Sequence, residues 1–132
     1  MEKTYTLFFS PEPLSRPRVN FTTKSVYDSQ RNLKSGLASL IASQHGKLPF
    51  FEGPLELDIT FVFDYPANWS RAKKDSTKIH SIKPDLDNLV KMICDVCQDV
   101  LYKDDSRISK INAIKIYDDG KGTRTEFTLR EI

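Results

Sequence analysis

The sequence predicts an α+β fold, with a mixed or antiparallel sheet and two main helices packed on one face of it. The chain has 132 residues, enough for one real core and too few for two. Its local patterns follow the order strand, hairpin, helix, strand, long loop, helix, strand, strand. No internal repeat, low-complexity tract or linker interrupts this order, so residues 1–132 are expected to form one small domain.

The first half of the chain predicts a strand, a loose hairpin and a helix. Residues 4–9 are rich in aromatic and β-branched side chains, and the two prolines that follow prevent the strand from continuing. Residues 15–27 are compatible with a hairpin. From Asp28, leucine and isoleucine recur at helical spacing until Gly46 ends the pattern.

The second half begins with the clearest strand, residues 55–63, where apolar side chains alternate strictly with others. Residues 66–83 show no periodicity and many charges, which predicts a long, functional or mobile loop. Residues 85–101 carry an amphipathic helical stripe. Residues 107–117 and 123–132 are expected to form a closing hairpin, joined by a glycine-rich turn whose two aspartates serve ordinary turn chemistry.

Composition excludes some classes of protein. No apolar run approaches the roughly 18 residues that a membrane span requires, and the first ten residues lack the features of a signal peptide. The expected compartment is therefore the cytoplasm. Cys94 and Cys97 form a C-x-x-C pair, but no second pair exists, and their helical spacing favours core packing over a zinc or redox site.

An acidic cluster is the most informative feature of the sequence. Asp85, Asp87 and Asn88 stand at the expected start of the second helix, and Asp104 and Asp105 follow that helix in a turn. Several carboxylates in one place are costly unless a cation balances them, and oxygen ligands suit Mg²⁺ or Mn²⁺. Such a metal could activate water and neutralise a phosphodiester during its hydrolysis.

Simpler interpretations exist for individual members of the cluster. Asp85 could cap the helix, and Asp87 could form an exposed ion pair with Lys91, one turn away. A calcium EF-hand loop is excluded, because its glycine is missing and Val96 stands where its glutamate belongs. A glycosidase-type carboxylate pair is disfavoured, since few aromatic residues lie nearby in the sequence.

Charge is distributed unevenly although the net charge is only +2. Basic residues surround the acidic cluster in sequence, an arrangement that suits a polyanion cut by a metal, although any single lysine could simply be solvated. The candidate phosphate contacts are Arg16, Arg18, Lys73, Lys74, Lys78 and Lys83.

The string Lys83-Pro84-Asp85-Leu86-Asp87-Asn88-Leu89, followed by Lys91, Asp95 and Asp104-Asp105, resembles the RusA family of Holliday junction resolvases. Arg16-Pro17-Arg18 and Val26-Tyr27 are similar to segments near the start of its members. The resemblance implies a homodimer that makes paired symmetric nicks in four-way DNA with Mg²⁺ or Mn²⁺. It assigns metal-binding catalytic acids to Asp85, Asp87 and Asp105, with Asp104 as the other candidate, and an essential lysine to Lys91.

Symmetry argues separately for two copies, because a four-way junction is nearly two-fold symmetric and the chain supplies one acidic site for two cuts. Three alternatives stay open at this point. The protein could be a less selective nuclease of flaps or forks, a DNA-binding module in which the aspartates only cap a helix and pair with lysines, or a structural protein without a nucleic-acid partner.

Overall fold

The computed structural model describes the chain except residues 16, 17, 21, 24 and 28, and it describes residues 18–20 and 25–27 by their backbone alone. Within that part, four strands form the main sheet: β1 (Glu2–Leu7), β4 (Leu55–Phe63), β5 (Ile108–Tyr117) and β6 (Arg124–Glu131), in the order β1-β6-β4-β5. β4 pairs antiparallel with β6 and parallel with β5, so the sheet is mixed, as predicted.

The two main helices are α1 (Arg31–His45) and α3 (Leu86–Cys97), and they confirm the α+β prediction. β4 carries its alternating apolar side chains toward them, and the core is formed between this sheet face and the two helices. Its largest fully buried members are Tyr5, Phe51, Phe61, Tyr102 and Phe127. The other sheet face is polar: Arg130 lies within 3.2 Å of Glu56 and also pairs with Glu2 and Asp58.

The predicted N-terminal hairpin is present as β2 (Arg18–Asn20) and β3 (Ser25–Tyr27), which pair antiparallel with each other in a separate two-stranded sheet. β1 begins two residues earlier than the predicted strand and ends at Leu7. Cys94 and Cys97 are free thiols buried on α3, which confirms the prediction of core packing. Burial raises the pKa of the Cys94 thiol to about 11, so neither a thiolate ligand nor a reactive nucleophile is favoured there.

The prediction of a featureless loop over residues 66–83 was wrong in part. This segment contains a short helix, α2 (Arg71–Ser76), whose first turn is capped by the Ser70 hydroxyl accepting from the Lys73 N–H. Further on, Ile79 forms a β-bridge with Ile116 at the edge of β5. Because α2 buries none of its residues, it lacks the apolar periodicity by which helices are recognised in sequence.

The prediction of a closing hairpin was also wrong. β5 and β6 do not pair with each other; β4 lies between them. Their connection passes over the end of β4, where Asp118 donates its N–H to the Phe63 carbonyl and the Thr123 hydroxyl donates to Asp64. Asp118 accepts from the backbone N–H groups of Gly120 and Gly122, which confirms its expected turn chemistry.

α3 ends earlier than the predicted helix, at Cys97 instead of near Leu101. Gln98 is already extended, and Asp99 adopts a left-handed conformation with φ 63°. The chain then reverses, and the Asp99 N–H donates to the Tyr102 carbonyl at 2.7 Å. None of the described helices is long and apolar enough to cross a membrane.

Candidate active site

The start of α3 presents Asp85 at the N-cap position with extended backbone dihedrals. Its side chain accepts no capping hydrogen bond from the helix, and within the described residues it has no ion-pair partner. The N-cap position therefore explains the location of Asp85, but its carboxylate takes no part in capping the helix. The negative charge still suits the positive end of the helix dipole.

Asp87 and Lys91 lie one turn apart on the exposed face of α3. The Lys91 Nζ is 4.0 Å from an Asp87 carboxylate oxygen, and both side chains are more than half exposed. This is the exposed ion pair that the helical spacing of Asp87 and Lys91 allows, and at such exposure it contributes little to stability. Both groups are accessible to a ligand from solvent.

The turn after α3 separates the roles of its two aspartates. Asp104 caps a single 3₁₀ turn (Asp105–Arg107), and its carboxylate accepts from the Ser106 N–H at 2.9 Å. This hydrogen bond lowers the pKa of Asp104. The pKa of Asp105 is raised, first by burial and then by the neighbouring charges of Asp104 and Asp95. Asp105 therefore sits in a locally negative environment.

A cleft of about 520 Å³ lies between α3 and the beginning of β5. Three charged side chains line it, Lys91, Asp95 and Asp105, and its remaining walls are apolar. The apolar residues are Leu14, Val90, Cys94, Ile108 and Ile111. The structure thus brings Asp105 into the same cleft as Lys91.

The acidic residues at this site provide oxygen donors for a divalent cation. Asp85, Asp87 and Asp105 offer oxygen ligands, which are the type that Mg²⁺ and Mn²⁺ prefer. Asp85 and Asp105 carry charge that no basic side chain within ion-pair distance balances in the described part of the chain. No three acidic, histidine or cysteine side chains among the described residues are, however, grouped closely enough to enclose a metal. The ligand types therefore suit a divalent cation, but the described part of a single chain does not surround one with three such side chains.

Asp95 is a site residue that the candidate set omitted. It lines the cleft, and its carboxylate lies 3.1 Å from the Lys34 Nζ on α1. The signal was present in the sequence, because Asp87, Lys91 and Asp95 follow one another at intervals of four on a helix. That spacing places the three side chains on one face, opposite the buried stripe.

A basic surface surrounds α2. Lys73 lies over the Trp69 ring at 4.3 Å, and Trp69 packs on Tyr117 in an aromatic group that also includes Tyr65. The Tyr65 hydroxyl donates to the carbonyl of Lys74, which fixes α2 on the sheet edge. A second cleft of about 510 Å³ beside it is lined by three basic and three acidic residues, namely Arg71, Lys74, Lys78, Asp75, Asp118 and Asp119.

The candidate phosphate contacts therefore fall into separate groups. Lys73 and Lys74 lie on α2, Lys78 follows it, and Lys83 is exposed just before the acidic start of α3. Arg16 lies outside the described residues, and Arg18 is described only as a backbone position of β2. Arg71 joins the α2 group, although the sequence had not singled it out.

Asn88 contributes to the framework of the site through its backbone. Its carbonyl accepts from the Leu14 N–H at 3.0 Å, which ties the segment before β2 to the first turn of α3. Leu14 thereby becomes part of the cleft wall. The Asn88 side chain is partly exposed on the same turn as Asp87.

Two comparisons bear on this geometry. The family model described as "Endodeoxyribonuclease RusA" matches residues 9–130, nearly the whole chain. A protein of Bacillus subtilis (strain 168), described as "Uncharacterized protein YqaN", is 28% identical over 137 residues, covering 97% of this chain and 95% of that protein. The family match includes both halves of the acidic site and the α2 segment.

Proposed function

Because this chain belongs to the RusA family of endodeoxyribonucleases, we propose that it resolves Holliday junctions by paired symmetric nicks that depend on Mg²⁺ or Mn²⁺. The observation that carries the proposal is the accessible acidic face of α3. There Asp85 stands at the N-cap, Asp87 lies within ion-pair distance of Lys91, and Lys91 shares a cleft with Asp105. Four-way DNA is the proposed substrate, in recombination and repair within a bacterial or phage-infected cytoplasm.

Asp85, Asp87 and Asp105 are the proposed metal-binding residues. Asp105 is favoured over Asp104, because the Asp104 carboxylate is already engaged by the Ser106 N–H and only Asp105 lines the cleft. When bound, the cation supplies an activated water and neutralises charge on the phosphate. In this role the bound cation would compensate the negative environment that raises the pKa of Asp105.

Lys91 is the proposed electrostatic partner of the scissile phosphate. It lies within ion-pair distance of Asp87, and it also lines the cleft. A positive charge at this position would stabilise the negative charge that grows on the phosphate oxygens during hydrolysis. Asp95, itself paired with Lys34, is proposed to restrain Lys91 on its other side along the helix.

Homodimer formation is part of the proposal. Each chain supplies one acidic site, while a four-way junction needs two strands cut at symmetric positions, and a two-fold dimer meets both conditions. The α2 surface, with Lys73, Lys74 and Lys78, is proposed to contact DNA phosphates outside the acidic cleft together with Lys83. Arg16 and Arg18 stay candidates for the same role.

The test uses a synthetic mobile four-way junction and a linear duplex of the same sequences, each with Mg²⁺, with Mn²⁺ and with chelator. Wild-type protein is expected to nick only the junction, and only with metal. Asp87→Asn should bind the junction normally and fail to cleave it. Asp99→Asn is the matched control, because Asp99 is exposed beyond the end of α3 and its left-handed backbone suits asparagine.

Each outcome separates the candidate functions. Junction binding without cleavage by the wild type would replace the nuclease by a DNA-binding module. Equal cleavage of flaps or forks would replace the resolvase by a less selective nuclease. Full activity of Asp87→Asn would remove that residue from the site.

A further inference from the structure

We propose that Lys115 is a positioning residue for the acidic start of α3, an inference that rests on the proposed nuclease function. Lys115 lies on β5, opposite Phe61 of β4. Its Nζ donates to two backbone carbonyl oxygens, that of Ile82 at 2.6 Å and that of Pro84 at 2.7 Å. Both carbonyls belong to the segment that leads directly into Asp85.

The same strand also holds this segment by backbone hydrogen bonds. The His80 N–H donates to the Lys115 carbonyl at 3.1 Å, and the Tyr117 N–H donates to the Lys78 carbonyl at 2.9 Å. The His80 ring is buried and stacks on Phe63 with ring centroids 4.1 Å apart. Residues 78–80 are therefore fixed along β5, and the Lys115 side chain extends that attachment to Pro84.

The position of Asp85 follows from these bonds. The Pro84 carbonyl and the Asp85 nitrogen belong to one planar peptide unit, so the hydrogen bond from Lys115 fixes the plane on one side of the Asp85 Cα. On the other side, the Asp85 carbonyl accepts from the Leu89 N–H at 3.2 Å. These two planes fix the direction of the Asp85 Cα–Cβ bond, and with it the region that the carboxylate can reach.

Lys115 holds this segment through two neutral acceptors of its ammonium. Within the described residues it forms no ion pair with a carboxylate, and its ammonium is satisfied by neutral carbonyls instead. Hydrogen bonds from a charged donor are stronger than neutral ones, which suits a joint that must hold its geometry. Groups that orient metal ligands in this way typically contribute about 10- to 100-fold to metal affinity.

The experiment compares Lys115→Met, which keeps the length of the side chain, with Lys115→Arg, which keeps the charge and the donors. Lys110→Met is the matched control, because Lys110 lies on the same strand and pairs with Glu56 at 3.3 Å on the opposite sheet face. Mn²⁺ binding is measured directly by electron paramagnetic resonance. Amide hydrogen exchange over residues 82–89 is measured in the same samples without metal.

Lys115→Met is expected to weaken Mn²⁺ binding by about 10- to 100-fold and to increase exchange at residues 82–89, with junction binding in chelator unchanged. Lys115→Arg should recover most of the affinity, and Lys110→Met should behave as wild type. Unchanged Mn²⁺ binding in a folded Lys115→Met protein would overturn the proposal. If that variant fails to fold, Lys115→Gln, which keeps one donor group, must show the same loss or the proposal fails.

The two readouts also separate this inference from the proposed function. If wild-type protein bound no Mn²⁺ at all, the metal-dependent function would fail. Faster exchange at residues 82–89 in Lys115→Met alone would still show that Lys115 positions the segment. Equal exchange in both methionine variants would refute the positioning role, whatever the enzyme does.

Discussion

Tyr102→Phe is predicted to destabilise the protein through one buried hydrogen bond next to the cleft. The Cys94 carbonyl lies in the last turn of α3, and the N–H four residues on, that of Gln98, donates to the backbone carbonyl of Asp95 instead. In place of that helical N–H, the Tyr102 hydroxyl donates to the Cys94 carbonyl at 2.7 Å. Since Tyr102 is only 1% exposed, phenylalanine would leave that carbonyl without this donor and without access for water.

Leaving such a buried acceptor unsatisfied costs about 1–3 kcal/mol. For a domain of this size, each kcal/mol lowers Tm by roughly 3–5 °C. We therefore expect a Tm lower by roughly 3–15 °C, measured by thermal unfolding, and a lower urea midpoint with an unchanged slope. The same substitution loosens the turn that carries Asp105, so cleavage should fall as well.

Tyr117→Phe is the control for this prediction. Tyr117 is also buried, at 4% exposure, but no hydrogen bond of its hydroxyl is found among the described residues. It should change stability by less than about 0.5 kcal/mol. Equal stabilities of Tyr102→Phe and wild type would refute the argument that the hydroxyl completes the end of α3.

Three further predictions follow from the charged groups. Hydrogen bonds from Arg124 are the main cause that lowers the pKa of Asp119 to about 2. The contribution of Asp119 to stability is therefore present above pH 3.8 and is lost as the pH falls toward 2. Asp119→Asn should flatten that part of a curve of unfolding free energy against pH, measured with urea. Lys91→Met should change stability by less than about 1 kcal/mol in urea titrations, yet lower single-turnover junction cleavage by about 10²–10³-fold. Lys74→Ala combined with Lys78→Ala should reduce the slope of the logarithm of the junction-binding constant against the logarithm of salt concentration by about 2, measured by fluorescence anisotropy. Lys3→Ala on β1, at the far edge of the sheet, should leave that slope unchanged.

Local patterns predicted the strands and main helices well, but they predicted less well which strands pair with each other. The alternation in β4 encodes a strand with one buried face, and the observed strand has the predicted bounds. It does not encode neighbours, because either edge of β4 accepts a strand. The glycines between β5 and β6 therefore suggested a hairpin, whereas their connection passes over the end of β4.

The limits of the sequence are also visible in the helices. Pro84 correctly marked the start of α3, but the stripe of apolar residues continued past Asp99, where a left-handed residue ends the helix. α2 was missed because a solvated six-residue helix has no buried face to produce a period. Its Ser70 cap was the one available signal.

Within the candidate site, the structure adds a distinction that residue types alone do not make. Asp104 and Asp105 are adjacent and chemically alike, and only the family resemblance favoured Asp105. In the structure the 3₁₀ turn engages Asp104, and Asp105 lines the cleft. The helical spacing placed Asp95 on the face of Asp87 and Lys91, but only the structure shows that Asp95 lines the cleft. Lys115 carries no sequence signal, because its partners are backbone carbonyls more than thirty residues away.

Cleavage of a supercoiled plasmid that extrudes a cruciform tests the central claim most directly, because it distinguishes paired nicks from single ones. With Mg²⁺ or Mn²⁺, a dimer that cuts two strands symmetrically within one binding event converts the circle directly to a linear product. We predict linear product from the first turnover, and none with chelator or with Asp87→Asn. Nicked circles that accumulate without linear product, or cleavage that persists in chelator, would contradict the account.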